Sequence, residues 1–149
     1  MIRPLAWAVA TVLLALGSLG VSAADDVRLP GFVSSGDDLY PAAAARRMLQ
    51  GSVGLELQID GEGRARILSQ TFVDAPVFAE NAAEVLKRGH FKVPEDWAQS
   101  GGPEQRFVVE VQFTIARGDA PCARKPPHVA DTQVVLVCRL QPSRRKNRL

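Results

Sequence analysis

The sequence predicts an α+β fold: a small antiparallel sheet of three to four strands packed on one main helix, preceded by a short N-terminal helix. Three observations predict it. Phe107, Val109, Val111, Phe113 and Ile115 alternate with Val108, Glu110, Gln112 and Thr114, the period of a strand with one buried face. Residues 52–72 hold two shorter runs of β-forming residues around Asp60-Gly61-Glu62-Gly63, a turn with two glycines available for positive φ. Phe78, Ala82, Val85, Leu86 and Gly89 recur at helical spacing, while Glu80, Glu84, Lys87 and Arg88 face away.

Each element follows in order. Met1-Ile2-Arg3 leads into an uncharged, mostly apolar run from Pro4 to Ala24, and Val21-Ser22-Ala23 fits a small-x-small cleavage site. Residues 1–23 therefore read as a signal peptide, with the mature chain starting near Ala24. The alternative is an uncleaved inner-membrane anchor facing the periplasm, because about 20 apolar residues can span a bilayer. Residues 24–39, broken by Pro30, Gly31 and Gly36, read as a leader without fold elements. Tyr40-Pro41 opens a short helix over Ala42–Gln50, with Gly51 after its end.

The first long strand spans Ser52–Ile59, with Val53, Leu55, Leu57 and Ile59 on one face, and the second spans Arg64–Phe72. Asp74 is placed to cap the main helix, with Pro76 in its first turn and Gly89 at its end. Glu84 and Arg88 stand at i, i+4 in the favourable order. A polar loop leads to the Phe107–Ile115 strand, which closes a domain over residues 40–117. Residues 118–140 add a loop and a fourth strand over Gln133–Leu140, and residues 141–149 form a basic tail.

Charge separates the tail from the body. The chain holds 18 Lys+Arg and 16 Asp+Glu. Removing Arg3 and the five basic residues from Arg139 onward leaves 12 basic against 16 acidic, a net of −4. That balance gives no case for nucleic-acid binding by the body. Cys122 and Cys138 are an even pair in the exported part, which favours a disulfide. The spacing is neither a CxxC redox motif nor a zinc ligand set.

No catalytic constellation assembles in the sequence. His90 and His128 sit in loops without ligand-spaced partners, and Ser52, Ser69 and Ser100 lie in no nucleophile-elbow pattern. Asp60 and Glu62 lack the twelve-residue calcium loop. The expectation is a binding module, not an enzyme, with no cofactor and no metal.

An ordered set of residues adds a resemblance. Tyr40-Pro41 with Ala42 and Ala45, Gly51-Ser52-Val53, Glu62-Gly63-Arg64, Phe78 with the Ala82–Leu86 face, Phe91, Pro94, and Val108–Ile115 together resemble the C-terminal domain of TonB-family proteins. The likeness covers about half the chain. It implies a small periplasmic sheet packed on a helix that binds a segment of outer-membrane transporters as an added strand. Carried onto this sequence, the partner-binding edge is Phe107, Val108, Val109, Glu110, Val111, Gln112 and Phe113, with Tyr40 and Pro41 nearby. A structural envelope protein that dimerises through the same edge is the alternative. The Val134–Leu140 strand, pinned by Cys122–Cys138, is placed to occupy that edge itself.

Overall fold

The computed structural model describes residues 27–142. The expected signal segment and the last seven residues of the basic tail lie outside them. Three strands and the main helix fall close to where periodicity places them: β2 (Gly51–Ile59), β3 (Ala65–Val73), α2 (Ala79–Arg88) and β5 (Phe107–Arg117). A terminal strand, β6, covers Gln133–Gln141, and a short helix, α1, covers Ala42–Arg46. Two brief strands, β1 (Phe32–Val33) and β4 (His90–Phe91), complete the set.

The main sheet has the order β3-β2-β5-β6. β2 pairs antiparallel with both β3 and β5, so Leu55 lies opposite Gln70 on one side and Val109 on the other. β6 runs parallel to β5, from Val109 opposite Gln133 to Arg117 opposite Gln141. This corrects the expected antiparallel sheet to a mixed one. Two parallel neighbours need a connection that returns the chain to the strand's starting end, and residues 118–132 do so without a helix.

One face of the sheet packs on α2. Val53, Leu55, Leu57 and Ile59 of β2 and Val109, Val111 and Phe113 of β5 are buried there with Phe78, Ala82, Val85 and Leu86. The Phe78 and Phe113 rings stack with centroids 4.8 Å apart, and Tyr40 meets both edge-on. The Tyr40 hydroxyl donates to the Leu49 carbonyl oxygen, and burial pushes its pKa up to about 12. Trp97, from the loop after β4, is also buried and donates its indole N–H to the Ile59 carbonyl at 3.0 Å.

Several local expectations change. α1 ends at Arg46 and not at Gln50, because Met48 turns left-handed (φ 55°). The Met48 and Leu49 amides then close onto the Ala45 and Ala44 carbonyls, a Schellman closure. Asp74 does not cap α2: its carboxylate accepts from the Ser52 amide at 2.8 Å, extending the β2–β3 pairing, and α2 begins through a 3₁₀ turn at Pro76–Phe78. Gly89 follows α2 in extended conformation, so it is not a left-handed cap; a Cβ there would lie 2.2 Å from the Phe32 ring. Phe32 belongs to the leader, which is a fold element after all, since β1 pairs with β4 and its ring sits 5.0 Å from Phe91.

The hairpin turn matches its sequence closely. The Asp60 carboxylate accepts from the Glu62 and Arg64 amides, both at 2.9 Å, and Gly63 takes φ 82°. The Gly63 carbonyl accepts from the Phe91 amide at 2.8 Å, tying the hairpin to β4.

Candidate functional site

The strand expected to present a binding edge is central. β5 is hydrogen-bonded to β2 on one flank and, from Val109 onward, to β6 on the other, so Val109–Phe113 has no free edge in this structure, whereas Phe107 and Val108 pair with β2 alone. Tyr40 and Pro41 are buried, with the Tyr40 ring inside the core against Phe113. They lie near β5 as expected, beneath it and not at an accessible surface. Cys122 and Cys138 form a disulfide with Cα atoms 5.8 Å apart, joining the crossover loop to β6.

The polar residues of β5 are equally unlike a solvated face. Glu110, Gln112 and Thr114 are all buried, because the 118–132 loop lies over that side of the sheet. Gln112 mimics a strand neighbour for the loop: its Nε2 donates to the Lys125 carbonyl at 2.9 Å, and its Oε1 accepts from the Lys125 amide at 3.0 Å. The Glu110 carboxylate accepts from the His128 amide at 2.7 Å and from Gln112 Nε2 at 3.1 Å. Its Oε1 also lies 3.1 Å from His128 Nδ1.

Burial alone would push the Glu110 carboxyl up. The donors from the His128 amide, the Gln112 amide, the His128 ring and the Ser52 hydroxyl together hold it below the ordinary glutamate range. The other His128 nitrogen, Nε2, lies 3.5 Å from Asp74 Oδ1, and the ring packs on Phe72 with centroids 4.3 Å apart. A neutral imidazole carries one N–H and can donate to only one of these two carboxylates, whereas the doubly protonated ring serves both.

Beside this cluster is a pocket of about 240 Å³ bordered by Ser52, Asp74, Glu110, Gln112, Thr114 and Lys125. Thr114 Oγ1 is buried there without a hydrogen bond among the described residues. No hydroxyl or thiol among the described residues hydrogen-bonds to either His128 ring nitrogen, and none of their His, Cys, Asp and Glu side chains group as a metal site. What the cluster does chemically is hold the loop down.

Sequence reasoning did not find the Glu110–His128–Asp74 contact, since the three residues are separated along the chain, Glu110 and His128 read as solvated, and Asp74 reads as a helix cap. The one signal available was a carboxylate in the middle of the most apolar strand.

Two outer edges remain, those of β3 and β6. The β2–β3 ladder is interrupted at Gly54/Leu55 and Glu56/Leu57, so β3 is bulged. β6 keeps an unbroken register with β5. Along β6 runs a groove of about 530 Å³, walled by Val135–Leu140 on one side and by Ser34 and Gly36–Leu39 of the leader on the other, with Val85 of α2 between them. Arg139 bonds Asp38 across it, and Arg88 bonds Asp37 at 3.4 Å and Glu84 at 3.3 Å.

No protein-family model, curated protein or solved structure matches this chain.

Proposed function

We propose that the chain is a non-enzymatic periplasmic binding module of the TonB C-terminal type, which takes an extended partner segment as an added strand in the service of outer-membrane transport. The observation that carries this reading is the outer flank of β5, which already holds β6 as a parallel strand delivered by a loop and not by a helix. That flank has the geometry of strand addition, filled from within the same chain. The Cys122–Cys138 disulfide supports an oxidising compartment. Among the described residues no helix is long and apolar enough to cross a membrane.

The test has two parts. The chain is expressed in a Gram-negative host, and its N-terminus and membrane fraction are determined. A start near Ala24 in the soluble periplasmic fraction is expected; an intact Met1 in the inner-membrane fraction would replace the free module with an anchored one. Sedimentation with and without reductant then addresses self-association. A monomer in both conditions is expected, and a stable dimer would favour a structural envelope protein that pairs copies of the sheet.

A further inference from the structure

We infer that the strand-accepting edge is the outer edge of β6, and that its occupant is an extended segment of a different protein with apolar residues at alternate positions. This deepens the binding-module reading and rests on it. In a terminal strand every second residue turns its N–H and C=O away from the sheet. Among the described residues, no backbone hydrogen bond reaches β6 from the leader that faces it. The six residues Val135–Leu140 lining the groove extend about 20 Å at roughly 3.3 Å per residue, enough for a comparable stretch of added strand.

β3, the other outer edge, is guarded by its two register breaks, because a bulge twists an edge away from regular pairing. β6 lacks that protection. It also displays Leu140, 65 % exposed, on the terminal strand itself. An incoming strand with apolar side chains at alternate positions would cover Leu140 and Leu136 on one face and meet Val85 and Leu39 on the other.

The leader decides against a second copy as occupant. The groove is bounded by residues 34–39, and every copy carries the same wall beside its own β6. Bringing two such edges together would press leader on leader before the strands could pair. A slim, unfolded segment enters without that conflict. Its recognition rests on backbone and apolar contacts, since Asp37, Asp38, Arg88 and Arg139 are already paired with one another or with Glu84. Binding should therefore weaken little as salt rises.

The experiment uses the oxidised mature chain and a displayed library of random nonapeptides as the probe. Expected are binders with alternating apolar positions that slow amide exchange across Val135–Leu140 and leave the β5–β6 ladder protected. Leu140→Lys places a charge on the edge at an exposed position and should weaken these binders at least tenfold, with the thermal midpoint unchanged. Val129→Lys, in the crossover loop and 61 % exposed, should leave them unaffected. Binders that protect β3, or that strip protection from β6 by displacing it, would overturn the assignment to this edge while leaving strand addition intact. No binder with extended backbone pairing would overturn both.

Discussion

The two faces of the sheet are buried by opposite means. On the α2 side, Val53, Leu55, Val109, Val111 and Phe113 close against apolar helix residues. On the other side, Glu110 and Gln112 are no more exposed, yet they hold the covering loop by hydrogen bonds to its backbone. The first face tolerates any cover of suitable shape. The second accepts only a cover that places an amide and a carbonyl where Gln112 needs them, so it specifies one loop conformation. The difference teaches that burial of a polar strand face is itself evidence of a fitted partner.

Phe113→Ala should break the apolar face with the largest effect, about 3–5 kcal/mol lost in denaturant unfolding, because its ring fills the centre of the aromatic cluster. Replacing Cys122 and Cys138 together by Ser should cost roughly 3 kcal/mol in the chain-entropy account. Amide exchange should quicken in the 118–132 loop and β6, and far less in β2. Equal loss on both faces would mean that the two are not separable.

Glu110→Gln should cost about 2 kcal/mol at neutral pH, since an amide cannot accept from all the donors grouped there. The pH dependence sharpens the comparison. Glu110 is held below the ordinary range, so the unfolded chain takes up its proton first. Its contribution is complete above the ordinary glutamate value of about 4.5 and is lost as pH falls from there through the lower folded value. Unfolding measured from pH 7 to pH 3 should therefore show an acid loss in the parent chain that is smaller in Glu110→Gln. Tyr40→Phe, which removes one hydrogen bond to Leu49 on the apolar side, should have the smallest effect, about 1 kcal/mol and flat over the same range.

The apolar side was legible in the sequence because its signals are periodic. The alternations in residues 52–59 and 107–115 and the stripe from Phe78 to Leu86 are local patterns, and each element formed close to its expected place. The polar side was not legible. Alternation assigns Glu110 and Gln112 to solvent unless something covers them, and what covers them is a loop whose own sequence has no period. Asp74 was misread for a related reason: a cap and a sheet extension ask for the same side chain, and the Ser52 amide won. β6 lies on the flank of β5 expected for Val134–Leu140, but parallel to it, because strand direction is a long-range property. Nothing within residues 107–115 says that β6 will lie beside them in parallel. Trp97 lies in a loop without periodicity, and only the Ile59 carbonyl gives it a reason to be inside.

The position of the disulfide also fixes how the molecule would carry tension. A pull on the C-terminal end peels Gln141, Leu140 and Arg139 from Arg117, Ala116 and Ile115, and then reaches Cys138. From there the taut path leaves β6, crosses to Cys122 and returns through residues 118–121 to the end of β5. Residues 123–137 form a slack loop that bears no load, and the clasp at Gln112 and Glu110 stays shut while β5 takes the strain. Once the crosslink is reduced, the same pull would unzip β6 along its whole length.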